Sequence, residues 1–101
     1  MFAVVLCTTP VSDTEKLART LVEEKLVACI NVANVKSFFR WEGKLEEEDE
    51  ALLIMETKTT KVKEVIDRVK ELHSYDVPEV IALPIIDGNN DYMDWVRESV
   101  E

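Results

Sequence analysis

The sequence predicts an α+β fold, a ferredoxin-like βαββαβ sandwich with an antiparallel sheet and a short C-terminal helix. Two short runs are almost wholly apolar, as buried strands are, and two other segments carry apolar residues at helical spacing. A further pair of strand-like segments is joined by a tight turn. The resulting order of strand, helix, strand, strand, helix and strand is the split pattern of that sandwich. We expect residues 1–101 to form a single domain.

The first part of the chain supplies one strand and one helix. The apolar run from Phe2 to Cys7 predicts a buried strand, which residues 8–10 end. Ser12 and Glu15 have the spacing of a capping box. Apolar residues then recur at helical spacing, so we expect the first helix to run to about Leu26.

The middle of the chain predicts a long hairpin. Residues 27–35 alternate as a strand does, and the aromatic segment 37–41 extends them. Glu42 and Gly43 then turn the chain, and the acidic run 46–50 leads into the apolar residues 51–55. We expect these two strands to pair antiparallel.

The last part of the chain predicts a helix, a strand and a closing helix. Thr60 is placed to cap the second helix, whose apolar stripe ends at Leu72. Residues 80–86 form an apolar strand, in which Pro84 indicates an edge or a bulge. Residues 91–100 then predict a short helix.

The central strands of this sheet are apolar on both faces, but two main helices cover only one of them. An antiparallel sheet with one solvated face normally alternates apolar and polar residues. The short terminal helix is too small to cover the second face. We therefore expect a homo-oligomer whose sheets pack against one another.

The net charge and the lack of long apolar runs argue against some classes of binding partner. The formal charge of -9 argues against nucleic acid and anionic membrane surfaces as partners, since both require a positive face. No apolar run approaches the ~20 residues of a membrane span, and no signal-peptide pattern follows Met1. We expect a cytoplasmic protein. Abundant charge, absent glutamine and only two glycines resemble heat-adapted proteins, so we also expect it to be thermostable.

The single histidine, His73, lies between a predicted helix and strand, where side chains of several elements converge. Histidine titrates near neutrality and binds metals, so His73 is a candidate site residue, although it is equally suited to capping the preceding helix. Cys7 and Cys29 form no recognisable zinc pattern, and we expect both to be reduced thiols. Either cysteine is compatible with a core position, where cysteine behaves as a small hydrophobe.

Nothing in the sequence predicts an enzyme. It contains no Gly-x-Ser-x-Gly, no phosphate-binding glycine loop and no second histidine. A lone His73 with Glu79 is compatible with acid–base chemistry in many folds, so the pair carries no specific indication. We expect a binding protein rather than a catalyst.

Four motifs carry a family resemblance. They are Leu-Val-Ala-Cys-Ile-Asn at 26–31, Arg-Trp-Glu-Gly-Lys-Leu at 40–45, His-x-Tyr-x-x-Pro-Glu at 73–79 with Ala-Leu-Pro-Ile at 82–85, and Tyr-x-x-Trp at 92–95. Together they resemble the CutA divalent-cation-tolerance family over nearly the whole chain. The resemblance implies a ferredoxin-like subunit in a compact homotrimer, similar to that of the PII signalling proteins, and a role in tolerance of copper and other divalent metals.

The resemblance also implies candidate metal ligands. Cys7 and His73 occupy the positions to which metal binding is ascribed in bacterial members. The chain departs from the family pattern at Leu72, where some relatives carry a second histidine, and at Ser74, where proline is usual. At a third position, Glu56 replaces a lysine common in relatives, which reverses the charge there.

A thiolate with an imidazole suits copper, or zinc, better than magnesium or calcium. Two ligands are too few, so we expect Glu79, Glu56 or a group from a neighbouring subunit to complete a divalent metal site with Cys7 and His73. The alternative is a PII-like trimeric adaptor that binds a small ligand or partner in the cleft between subunits. Its pocket residues would be Trp41, Glu56, Tyr75 and Trp95, although aromatic residues at such positions also pack cores and subunit contacts.

Overall fold

A computed structural model describes all residues, 1–101, and confirms the predicted α+β sandwich. Four strands form one antiparallel sheet, two helices cover one of its faces, and a third helix follows the last strand. The strands are β1 (Phe2–Pro10), β2 (Cys29–Trp41), β3 (Lys44–Lys58) and β4 (Val80–Ile85). The helices are α1 (Thr14–Glu23), α2 (Val62–Leu72) and α3 (Asn90–Ser99), and short 3-10 turns at Val11–Asp13 and Thr59–Lys61 precede the first two.

The sheet has the order β2-β3-β1-β4, and every neighbouring pair is antiparallel. The predicted hairpin pairs β2 with β3 from Cys29 opposite Glu56 to Trp41 opposite Lys44. Its turn consists of Glu42 and Gly43, both with positive φ, of 50° and 78°. Two consecutive residues in the left-handed region are the signature of the type I′ turn, which favours glycine and matches the twist of a hairpin.

The core lies between the sheet and helices α1 and α2. The odd-numbered residues of β1 and of the second half of β3, from 51 to 57, point toward these helices and are buried, as Val5, Cys7, Leu53 and Met55 illustrate with 0% exposure. The alternation follows directly from strand geometry, in which successive side chains point to opposite faces. The helices contribute Leu17, Leu21, Val65 and Val69 to the same cluster.

The two predicted helix caps are wrong. Neither Ser12 nor Thr60 caps a helix, because a 3-10 turn precedes each helix and shifts its N-cap to Asp13 or Lys61, with no side-chain capping bond. At the start of α1, the hydroxyl of Thr14 makes hydrogen bonds to the preceding strand instead. The Thr14 hydroxyl lies 2.8 Å from that of Thr9 and 3.2 Å from the Pro10 carbonyl oxygen.

Several predicted element ends also differ. Strand β1 continues through residues 8–10, since Thr8 and Thr9 stay paired with β3 opposite Leu52 and Ala51. Helix α1 ends at Glu23, short of Leu26, because Lys25 takes a positive φ of 59° and ends the helix. The predicted placement of Pro84 is confirmed, since β4 is an edge strand of the sheet.

The second face of the sheet, which we call the outer face, is only partly covered. Helix α3 packs over one end of it, where Val96 and Val100 form a small cluster with Ala28 and Phe2. The segment 73–79 reaches the opposite end. Between them lies an apolar surface in which the two β4 residues Ile81 and Leu83 are 50% and 47% exposed. None of the three helices has the length and apolar character that a membrane crossing needs.

We predict that shortening Val69 to alanine lowers the free energy of unfolding by about 2 kcal/mol, since two buried methyl groups leave the core. Val22→Ala is the matched control, because Val22 also lies on a helix but is 41% exposed. It should change stability by about 0.5 kcal/mol or less. Urea unfolding at one fixed protein concentration measures both, and equal losses would contradict the assignment of the core.

Candidate ligand groove and predicted metal site

His73 stands at the C-terminus of α2 and links three segments of the chain. Its backbone N–H donates to the Val69 carbonyl at 2.8 Å, which ends the helix. Its ring points away from the helix, with Nε2 2.7 Å from the Thr8 carbonyl oxygen of β1. Its Nδ1 accepts from the Tyr75 backbone N–H at 3.0 Å. Since Nδ1 is an acceptor, Nε2 carries the hydrogen donated to Thr8, and the ring is the neutral Nε2–H tautomer.

Tyr75 continues this network to the acidic half of β3. Its ring lies 4.8 Å from that of His73, and its hydroxyl donates to Glu50 Oε2 at 3.0 Å. Partial burial, followed by the bond to Glu50 and its charge, raises the pKa of Tyr75 to about 12. The phenol is therefore neutral at physiological pH and remains the donor in this bond. Glu50 itself is only 4% exposed.

A groove of about 810 Å³ opens on the outer face beside this network. Its floor is the half of the β2–β3 hairpin nearest the turn. There, Ser37 pairs with Glu48 and Phe39 pairs with Glu46. Side chains of the segment 74–79 form the opposite wall. The lining includes five acidic residues and no lysine, arginine or histidine; the acidic residues are Glu46, Glu48, Glu50, Asp76 and Glu79.

Cys7 lies on the other side of the sheet from this groove. It is fully buried in the core under the helices, and its thiol is 3.6 Å from the Thr8 carbonyl oxygen. Burial first, and then the charges of Glu79 and Glu50, raise the pKa of Cys7 to about 12. The metal-free thiol is therefore protonated at neutral pH.

The predicted ligands Cys7, His73 and Glu79 lie at the same end of the sheet but do not form a ligand set within one chain. No three His, Cys, Asp or Glu side chains are arranged to hold a metal ion. Both ring nitrogens of His73 are already hydrogen-bonded, and the Cys7 thiol is buried in the core on the helix side of the sheet. As arranged here, these donors do not fit a transition metal.

The four predicted pocket residues fall into two groups. Trp41 and Tyr75 line the groove. Glu56 lies six residues from Glu50 along β3, roughly 20 Å away for an extended strand, and accepts from the Tyr92 hydroxyl at 2.6 Å. The Tyr92 ring lies 5.4 Å from that of Trp95, so Glu56 and Trp95 belong to the α3 end of the outer face. The bond to Glu56, with some burial, raises the pKa of Tyr92.

Among the acidic residues of β3, the sequence analysis named only Glu56 as a site residue and did not name Glu46, Glu48 or Glu50. Their spacing does contain a signal, since Glu46, Glu48 and Glu50 alternate and so share one face of a strand. Ser37, Phe39 and Trp41 share that face of β2. The approach of Asp76 and Glu79 depends on the path of the loop after α2, which strand periodicity does not reveal.

The fold and this groove define a small ferredoxin-like protein with an open, acidic and aromatic cleft. A family model for the CutA1 divalent ion tolerance protein matches residues 3–99, and the chain belongs to this family. The resemblance drawn from the four sequence motifs is thereby confirmed.

Individual relatives are similar to this chain over nearly its full length. The "Divalent-cation tolerance protein CutA" of Thermus thermophilus is 45% identical over an alignment of 101 positions, which covers 98% of this chain and 98% of that protein. A solved structure of the "Periplasmic divalent cation tolerance protein CutA from Archaeoglobus fulgidus" superposes with a TM-score of 0.97 at 42% identity, covering 100% of both chains. The Thermus thermophilus structure gives a TM-score of 0.95 at 44% identity over the same coverage.

We predict that the Cys7 thiol does not react with an aromatic disulfide reagent in the native protein at neutral pH, because it is buried and protonated. The Cys29→Ser variant, which retains Cys7 alone, should show no reactive thiol until denaturant is added. The Cys7→Ser variant, which retains Cys29 alone, measures the reactivity of Cys29 by the same assay. Rapid labelling of the native Cys29→Ser protein would show that Cys7 is reachable and would contradict the prediction.

Proposed function

We propose that this protein acts in divalent-cation tolerance, as a cytoplasmic homotrimer that works by binding rather than by catalysis. The family supports the general role, since the relatives from Thermus thermophilus and Archaeoglobus fulgidus are both named divalent-cation tolerance protein CutA. The charge of -9 is compatible with a cationic ligand.

The main support for the proposed homotrimer is the apolar outer face of the sheet. Val4, Leu6, Leu52 and Ile54 form its centre and are only partly buried within one chain, and Ile81 and Leu83 beside them are about half exposed. An apolar surface of this kind on a solvated sheet is typical of an interface. A closed symmetric assembly of identical chains buries it without leaving an unmatched surface.

The hairpin supplies a second contact. Strand β2 has thirteen residues and lies at one edge of the sheet, with its outer backbone groups unpaired within the chain. Its far half, together with the far half of β3, extends past the helices and gives the chain a long axis of 45 Å against 24 and 21 Å. A projecting hairpin with a free edge is suited to pairing with another copy around a symmetry axis.

We predict that Leu83→Lys converts the assembly into smaller species, because it places a charge in the apolar outer face. Light scattering after size-exclusion chromatography should give the mass of three chains for the parent protein and a lower mass for the variant. Val22→Lys is the matched control. Val22 is 41% exposed and lies on α1, under the opposite face of the sheet, so this variant should keep the parent mass. A monomeric parent at micromolar concentration would contradict the homotrimer.

The resemblance implies copper binding by Cys7, His73 and Glu79, but the arrangement of these residues within one chain does not favour it. Within one chain, it would require His73 to give up its bond to Thr8 or to the Tyr75 backbone, and Cys7 to ionise. Each change removes a satisfied interaction, so the geometry disfavours this set of ligands.

We expect a calorimetric titration with copper at neutral pH to show no saturable binding that depends on these residues. The parent protein and the Cys7→Ser and His73→Ala variants, each of verified oligomeric state, should give the same isotherm. Saturable binding that both substitutions abolish would overturn this expectation and establish the predicted ligands. The same experiment with zinc tests the alternative metal.

A further inference from the structure

The segment between β4 and α3 contains the only place in the chain where an aspartate precedes a glycine, Asp87–Gly88. Residues 86–89 lie outside every helix and strand, and all four are exposed. An exposed connection of this kind leaves its backbone freer to rotate than a helix or strand does, and glycine adds the widest conformational freedom of any residue. The pair is therefore both accessible to water and conformationally permissive.

The side chain of Asp87 contacts the amide group that follows it. The Gly88 N–H donates to Asp87 Oδ1 at 2.9 Å. That N–H donates to no backbone carbonyl, and no basic nitrogen lies within 4.0 Å of the Asp87 carboxylate. Because Oδ1 and Cγ are bonded to each other, the Asp87 carboxyl carbon is held close to the Gly88 nitrogen. No other part of the fold engages either group.

Packing favours glycine at position 88. A Cβ atom added there would lie 2.9 Å from Met93 Sδ and 3.3 Å from Met93 Cγ, closer than side chains normally approach. Met93 belongs to α3 and is partly buried, so its side chain lies over this position. A Cβ at residue 88 would also restrict rotation of the backbone beside the Asp87 carboxyl group. The fold thus retains, directly after Asp87, the residue that least hinders the approach of its amide nitrogen to that group.

We propose that Asp87–Gly88 is a site of spontaneous isoaspartate formation in the folded protein, through a cyclic imide. The Gly88 nitrogen attacks Asp87 Cγ and forms a C–N bond, while the nitrogen loses its hydrogen and Cγ loses its hydroxyl group, which leave together as water. A water molecule then opens the ring at one of its two C–N bonds. Opening at Cγ restores aspartate, whereas opening at the backbone carbonyl carbon of Asp87 leaves isoaspartate, in which the chain continues through the side chain. The cycle needs no oxidant, reductant or cofactor.

The conversion acts next to the start of α3. The Asn89 side chain accepts from the Asp91 N–H at 2.9 Å and caps this helix, and the Asn89 carbonyl accepts from the Met93 N–H at 2.9 Å. An isoaspartyl bond adds one carbon atom to the main chain shortly before this cap. It therefore alters the connection to the helix that covers one end of the outer face through Val96. The proposal depends neither on the homotrimer nor on a metal site.

The test is prolonged incubation of the intact folded protein at neutral pH, below its unfolding transition, in water enriched in the heavy oxygen isotope. Every ring opening places one heavy oxygen at residue 87, which peptide mapping by mass spectrometry measures. An endoproteinase that cleaves before aspartate but not before isoaspartate identifies the converted fraction. Asp76 is the internal control, since it also lies in an exposed loop but precedes Val77. We expect both signals at Asp87 and neither at Asp76.

Variants at the pair separate ring closure from other chemistry. Gly88→Ala should slow the conversion by about tenfold, because the added methyl group restricts the backbone. Asp87→Glu keeps the charge and the glycine and should lose the conversion, since its longer side chain must close a larger ring. Asp87→Asn forms the same imide with loss of ammonia, a better leaving group than water here, and should convert faster than the parent protein.

Val69→Ala distinguishes the folded protein from its unfolded form, because this core variant is expected to lower the free energy of unfolding without touching the loop. A conversion that required unfolding would become about thirtyfold faster in this variant. A conversion in the folded protein should stay within about twofold of the parent rate.

Three outcomes would overturn the proposal. Equal heavy-oxygen uptake at Asp76 and Asp87 would indicate exchange without a specific site. A strong acceleration in Val69→Ala would place the reaction in the unfolded chain. An unchanged Asp87→Asn variant would mean that the folded loop prevents ring closure. Circular dichroism and the mass in solution verify that each variant is folded before its rate is compared with that of the parent.

Discussion

The position of β1 in the middle of the sheet is the constraint on which the rest of this structure depends. This strand pairs with β3 on one side and β4 on the other, and its side chains are apolar on both faces. Helices α1 and α2 bury one set, including Val5 and Cys7. The opposite set, including Val4 and Leu6, is covered only in part by α3 and the loop after α2. The two-layer subunit is therefore complete as a fold, but the centre of its outer face is left partly exposed.

The polar network at the end of β1 shows how one loop determines both the site and the limits on its chemistry. His73 donates to Thr8 and accepts from the Tyr75 backbone, which fixes the start of the segment 73–79 against the sheet. Tyr75 then reaches Glu50 on β3 and closes one side of the groove. The bonds that position the groove are the same bonds that occupy both nitrogens of His73. His73 therefore holds this loop against the sheet, and neither of its ring nitrogens is free to contact a ligand.

Most of the fold was predictable because it depends on local periodicity and turn chemistry. The alternation of β3 and the Glu42–Gly43 turn specify the hairpin, and the apolar stripes specify the helices. The caps at Ser12 and Thr60 were wrongly predicted because a 3-10 turn before a helix has no distinct sequence pattern. The groove was only half predictable. Trp41 and Tyr75 were recognised, but the burial of Glu50 arises from a loop that crosses the sheet, a tertiary effect that no single segment encodes.

The two edges of the sheet are unequal. Strand β4 has six residues, and one of them is Pro84, which has no N–H to donate to a further strand. Strand β2 has thirteen residues and no proline. Growth of the sheet by strand addition is thus blocked on one side and open on the other. A sheet with one open edge can gain a strand on that side only. The short proline-containing strand therefore opposes indefinite polymerisation of this protein through edge pairing of its sheet.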